Sequence, residues 1–251
     1  MILSLVNQKG GVGKTTTAVS LTAALTELGS RVLLCDFDPQ ANATSGMGVE
    51  KGQARITVYD VLIQGAEANE AIIHTKYGDL LPSGTDLAGA GIELVSLERR
   101  EFRLKDALAP LSLEYDFILI DCPPSLELLT LNALCAAEQV LIPVQCEYYA
   151  LEGLSDLMTT LRAVKRSYQP HIAIFGLVLT MYDGRTNLSA QVAQEVRRHF
   201  PGKVFATVIP RNVRLSEAPS HGLPITAYDR LSRGAESYLQ LAREILRKSG
   251  V

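Results

Sequence analysis

The chain has 251 residues, 47% hydrophobic and 20% charged, with a net charge of −3. A chain of this length and balance buries a core without disulfide or metal, and the lack of low-complexity tracts or repeats excludes disordered, collagen-like and solenoid architectures. Overall acidity argues against a dedicated polyanion binder, but the charge is uneven: Asp183 to Val251 carries 11 Lys and Arg against 6 Asp and Glu, the rest of the chain 13 against 21.

Short apolar runs alternate with longer helical patterns along the chain. Ile2–Val6 reads as a strand, followed by a helix over Thr16–Leu28 and a strand over Arg31–Cys35. The stretch Lys51 to Gly91 is the least legible, with helices expected around Val58–Ile63 and Ala68–Ile73. Strands follow at Asp116–Ile120, Gln139–Val144 and Ile172–Thr180, with helices at Leu126–Ala136, Leu151–Arg166 and Leu188–His199. A last amphipathic helix, Ala235–Lys248, places Tyr238, Leu239, Leu241, Ala242, Ile245 and Leu246 on its apolar side. The strands are apolar nearly throughout, the pattern of strands covered on both faces. This β-α alternation predicts one α/β domain over residues 1–251, a mostly parallel twisted sheet with helices on both faces. No linker divides the chain, and the longest apolar run, Ile172 to Met181, is too short to span a bilayer. Cys35, Cys122, Cys135 and Cys146 form no CxxC pair and read as buried thiols in a reducing cytoplasm.

The chemistry begins at Gln8-Lys9-Gly10-Gly11-Val12-Gly13-Lys14-Thr15-Thr16, which follows a strand and opens a helix. Glycines let consecutive N–H groups turn toward phosphate oxygens, and the helix N-terminus adds partial positive charge. In such a P-loop, Lys14 bridges the β- and γ-phosphates and the Thr15 hydroxyl holds Mg²⁺. The general pattern has glycine where this chain has Gln8, and a second lysine, Lys9, follows. Lys9 is badly placed to wrap around its own chain's phosphates.

Lys9 to Thr15 resembles the deviant Walker A motif of the ParA/MinD ATPases. The resemblance runs along nearly the whole chain. It includes Asp36-Phe37-Asp38-Pro39-Gln40, Ile118-Leu119-Ile120-Asp121-Cys122-Pro123-Pro124, Gln145 to Gly153 and Pro210 to Gly222, the last two being similar to the chromosomal ParA branch called Soj. It implies a P-loop NTPase fold and slow hydrolysis of ATP to ADP and phosphate with Mg²⁺. It also implies an ATP-dependent homodimer that sandwiches two nucleotides, with Lys9 reaching the partner's phosphates. Gly10, Gly11, Val12, Gly13, Lys14, Thr15 and Thr16 match the phosphate cradle. Asp38 matches the residue that positions the attacking water, and Asp121 the aspartate that holds Mg²⁺ through water. Pro210 and Asn212 match the adenine-side loop, and Arg185 and Arg214 match arginines that contact double-stranded DNA non-specifically. The implied role is a chromosome- or plasmid-partitioning switch on the nucleoid, triggered by a ParB-type partner, with a link to control of replication initiation.

Read from the residues alone, several positions keep two meanings. Asp36 suits a metal role or a turn acid, and Glu147 a site residue or a solvated loop acid. Asn212 can donate to and accept from an adenine edge or close an Asx-turn. Arg162, Lys165 and Arg166, at i, i+3 and i+4, extend a basic patch or line a solvated helix face. The competing functions are a MinD-like membrane-cycling ATPase, which needs a basic amphipathic C-terminal extension, an iron–sulfur carrier using Cys122 and Cys135, and a small-molecule kinase. The last leaves Lys9 without a purpose. No aromatic interleaving or helix-turn-helix signature accompanies the C-terminal basic residues, so phosphate contact is the expected mode of any DNA binding.

Overall fold

Strand residues that are apolar at every position have two faces to bury, and the fold supplies both. The computed structural model describes residues 1–250. Among them, β1 (Ile2–Leu5), β2 (Val32–Asp36), β3 (Ile73–Thr75), β4 (Gly78–Leu81), β5 (Phe117–Asp121), β6 (Gln139–Gln145) and β7 (Ala173–Thr180) form one sheet. Their order is β3-β4-β2-β5-β1-β6-β7, parallel except for the β3–β4 hairpin at one edge. The helices are α1 (Lys14–Glu27), α2 (Asn42–Gly46), α3 (Ala68–Ala71), α4 (Leu87–Glu93), α5 (Arg103–Leu108), α6 (Leu128–Ala136), α7 (Ala150–Ser167), α8 (Asn187–His199), α9 (Val213–Glu217), α10 (Ile225–Tyr228) and α11 (Arg233–Ser249).

Alternate strand residues feed two cores, because successive Cβ atoms point to opposite faces. Leu3, Leu5, Leu34, Leu119 and Leu141 meet Leu21 and Leu25 of α1 and Tyr238, Leu241 and Ile245 of α11. Ile2, Val6, Leu33, Ile118, Ile120 and Ile142 meet Leu104, Leu134, Leu154 and Leu157 on the other face. The apolar side of α11 is therefore consumed by packing against α1. Ser232 caps its start by accepting from the Ala235 N–H at 3.2 Å, and Gly250 closes its end with φ 74°. No helix among the described residues is long and apolar enough to cross a membrane.

The five expected strands and five long helices are present, with ends shifted by a few residues. The segment from 51 to 91 departs from expectation. A π-helical turn, Asp60–Gln64, overlaps the first expected helix. The second is shorter than expected: α3 ends at Ala71, and Ile73 already belongs to β3. β-branched Ile73 and Thr75 pair with Leu80 and Gly78 across a tight turn. Gly78 sits at φ 118°, and a Cβ there would lie 2.7 Å from Thr22 Cγ2 of α1, so the hairpin docks only with glycine at that place.

The consequence for function is positional. β1, β2, β5 and β6 run in one direction, so the loops that leave their C-terminal ends share one edge of the sheet. Ligands of open α/β sheets bind at that edge.

Candidate nucleotide site

The loop between β1 and α1 carries the phosphate-binding pattern at the middle of that edge. Gly11 and Gly13 adopt φ 73° and 87°, a region that side chains disfavour and that turns N–H groups inward. Thr180, at the end of β7, donates its hydroxyl to the Val12 carbonyl at 2.8 Å and holds the loop against β7. The Asn7 side chain accepts from the Lys9 N–H at 3.0 Å and donates to the Pro143 carbonyl at 2.8 Å, tying the loop to β6. Neither Asn7 nor Thr180 is signalled by the motif. Their role emerges only when the strands are side by side.

Lys14 is buried, and its ammonium donates to the Lys9 carbonyl at 3.3 Å. Burial lowers its pKa, opposed by the nearby charges of Asp121, Cys122 and Asp38. A cation is thus held inside the loop and faces carboxylates.

Asp36 and Asp121 end adjacent parallel strands and stand opposite one another in register. Both are fully buried, but their partners differ. Asp36 accepts from the Thr44 N–H and hydroxyl, each at 2.7 Å, so it fastens the start of α2. Asp36 is therefore the turn acid. Burial raises its pKa to about 6 against those hydrogen bonds. Neither carboxylate oxygen of Asp121 has a hydrogen-bond partner, which leaves two buried polar atoms unsatisfied. Burial first, then the charge of Asp36, pushes its pKa well above the usual range. The Thr15 hydroxyl faces Asp121 and pulls the other way without making a hydrogen bond of normal length. Two orphaned carboxylate oxygens beside a threonine hydroxyl are a donor set suited to a hydrated divalent cation.

Asp38 follows β2 on the same edge. One of its carboxylate oxygens accepts from the Gln40 N–H at 2.9 Å, and its carbonyl accepts from the Ser83 hydroxyl at 2.8 Å. Ala41, just beyond, is held at φ 51°. A non-glycine residue in that region marks a loop whose shape its surroundings impose.

The Lys9 side chain reaches the loop that follows β6. Its ammonium pairs with Glu147 Oε2 at 2.7 Å, and the two side chains are 37% and 43% exposed. Gln145 donates to the other oxygen of Glu147. Glu147 is therefore the ion-pair partner of Lys9.

Two hollows open beside Thr16, separated by Leu215 and Pro219. The larger, about 510 Å³, runs between α1 and α2. The smaller, about 320 Å³, is lined by Gly13, Thr16, Met181, Pro210 and Asn212, which brings the expected adenine-side residues to the phosphate loop. The Asn212 side-chain oxygen accepts from the Arg214 N–H at 2.9 Å and caps α9, the turn-closing role the sequence allowed for it. Its NH₂ group and the second lone pair of its oxygen remain to meet a base.

Arg185 and Arg214 lie outside this cluster. Arg185 is exposed and doubly bonded to Asp183, at 2.9 and 2.7 Å. Arg214 pairs with Glu217 at 2.9 Å and with Asp229 at 3.3 Å. Each is neutralised within its own chain. The four cysteines are buried and unbridged, and burial raises the thiols of Cys122, Cys135 and Cys146, which disfavours thiolate ligands.

A family model described as an AAA domain matches residues 1–174. The chain is 57% identical over 246 residues to the sporulation initiation inhibitor protein Soj of Bacillus subtilis, covering 97% of each. It is 52% identical over 250 residues to the chromosome-partitioning ATPase Soj of Treponema pallidum, covering 99% of this chain and 98% of that one. A solved structure of cobyrinic acid a,c-diamide synthase from Mycobacterium smegmatis, with ADP and magnesium bound, superposes with a TM-score of 0.87. It is 40% identical and is aligned over 100% of this chain and 96% of that one.

Proposed function

The chain belongs to the ParA/Soj family of chromosome-partitioning ATPases, and from that premise we propose that it is an ATP-operated dimerisation switch that carries partition complexes over DNA. The observation that carries the reading is the placement of Lys14, Thr15 and the unpartnered Asp121 around one phosphate cradle. Mg²⁺ fits there: the Thr15 hydroxyl and, through water, Asp121 would hold it, and it would supply charge neutralisation to the bound triphosphate.

The chain's own groups do the rest. N–H groups from Gly10 to Thr16 bind phosphate oxygens, and Lys14 offsets their charge. Asp38 orients the attacking water. Lys9 leaves Glu147 and stabilises the triphosphate of a second chain, so hydrolysis depends on dimerisation. Pro210 packs against adenine while the Asn212 NH₂ donates to it. Turnover is slow until a ParB-type partner triggers it. The ATP dimer binds double-stranded DNA without sequence preference, which places the protein in the cytoplasm on the nucleoid, and the same switch can report to replication initiation. A membrane-cycling role fits less well, because the apolar side of α11 is already packed on α1.

A mobility-shift assay on random-sequence DNA tests this with ATP, ADP and no nucleotide. Wild type shifts DNA with ATP only. Lys9→Ala binds nucleotide yet neither dimerises nor shifts DNA, whereas Asp38→Ala shifts DNA and does not turn over. A normal ATP-dependent shift by Lys9→Ala refutes the cross-subunit role.

A further inference from the structure

The surface opposite the nucleotide edge carries a basic hollow that nothing in the ATPase site uses. It lies where β7 begins, beside the C-terminal half of α7, and measures about 370 Å³. Met158, Leu161 and Ile172 contribute its apolar lining, and Arg162, Lys165 and Lys203 its charge. Arg166 follows on the same exposed helix surface. Lys248 adjoins the group: its ammonium lies 5.0 Å from the Phe205 ring centre, and the charge of Lys203 contributes to lowering its pKa.

These cations differ from Arg185 and Arg214 in one decisive respect. Among the described residues, none of Arg162, Lys165, Arg166 and Lys203 has a carboxylate within 4.0 Å. Arg162 donates to the Thr159 hydroxyl at 3.0 Å and Lys203 to the Ile174 carbonyl at 3.0 Å, neutral partners that leave the charge uncompensated. The carboxylate that acts on Lys248, Glu244, accepts from the Ala206 and Thr207 N–H groups at 2.8 and 3.1 Å. No acid lines the hollow. Arg185 and Arg214 must break an internal ion pair before they neutralise a phosphate, whereas this cluster has none to break.

We infer that the α7–β7 cluster of Arg162, Lys165, Arg166 and Lys203 is a DNA-backbone contact surface of this protein, separate from Arg185 and Arg214. The inference rests on the proposed DNA-binding switch and names a surface for it. The chemistry suits a phosphodiester backbone. Arg162 to Arg166 spans about 6 Å of helix axis, within which one DNA strand presents about two phosphates. Arg and Lys side chains without aromatic neighbours in the hollow contact phosphates and not base edges, so binding is independent of sequence.

The test is fluorescence anisotropy of a random-sequence DNA duplex titrated with full-length protein and a non-hydrolysable ATP analogue, over a series of salt concentrations. Lys165→Ala/Lys203→Ala is compared with wild type and with Arg214→Ala. Sedimentation velocity and thermal melts confirm that each variant folds and dimerises. The double variant binds more weakly. Its slope of log K against log[salt] is shallower by about 0.9 for each phosphate no longer neutralised, or about 1.8 for each protomer on the DNA. An unchanged slope and affinity in the dimeric double variant overturn the inference and leave the switch intact. No ATP-dependent DNA binding by wild type overturns both. Loss of binding to phosphatidylglycerol vesicles with normal DNA binding overturns it too, by assigning the surface to a membrane.

Discussion

Asp121→Asn separates the metal-site reading from a purely structural one. Asp121 has two buried oxygens without partners and stands in register with Asp36, a second buried acid. An unpartnered buried polar group costs about 1–3 kcal/mol, more when charged. The amide removes the charge and supplies a donor toward Asp36. Nucleotide-free protein in EDTA at pH 8 should gain roughly 2 kcal/mol, about 4–8 °C in Tm for a chain of this size. The pKa of Asp121 is raised in the fold, so the wild-type penalty is absent where the acid is protonated and grows as pH rises. The gain from the amide is therefore no larger at pH 5 than at pH 8. Nucleotide with magnesium reverses the order. At about 100 times Kd it stabilises wild type by about 2.7 kcal/mol, and the variant by much less. Melts followed by circular dichroism at both pH values, with and without Mg·ATP, decide the matter. If Asp121 only braced its loop, Asn would lower Tm at every pH in EDTA, and that result refutes the reasoning.

Two further outcomes follow from the same edge of the sheet. Asp36 titrates at about 6 instead of 3.8, so its contribution favours the fold most below pH 4 and is lost as pH rises through 6. By linkage the ligand-free protein should lose about 2 kcal/mol from this group between pH 4 and pH 8, measured by urea melts; an Asp36→Asn variant with the same pH dependence would contradict it. Glu147→Gln frees Lys9 from a half-exposed ion pair worth about 0–1 kcal/mol. The ATP-bound dimer should tighten by up to about fivefold for each chain, with ADP affinity of the monomer unchanged; sedimentation equilibrium showing a weaker dimer would rule out Glu147 as a restraint on Lys9.

Much of the molecule is legible from local pattern because its chemistry is local. The phosphate cradle uses consecutive N–H groups, so Lys9 to Thr16 announces itself as one short string, and strands buried on both faces read as unbroken apolar runs. The resemblance to ParA and Soj proteins extended this to Asp38, Asp121, Pro210 and Asn212, and the structure brings these residues to the P-loop edge. It also shows what single residues cannot disclose: the Asn212 oxygen accepts from the Arg214 N–H, and Asp36 fastens α2 through Thr44. The β3–β4 hairpin escaped notice because three- and four-residue strands carry too little periodicity to separate from a helix.

The amino-acid order by itself determined the α/β alternation, the nucleotide loop and the family, all properties of segments that act through their own backbone. Tertiary structure alone decided which charges are already paired. Lys9 meets Glu147 across 138 positions, Asp121 is left without a partner beside Asp36, Arg185 and Arg214 are neutralised at home, and Lys203 joins α7 with its charge free. Electrostatic energy depends on distance and burial, and neither is written in sequence separation.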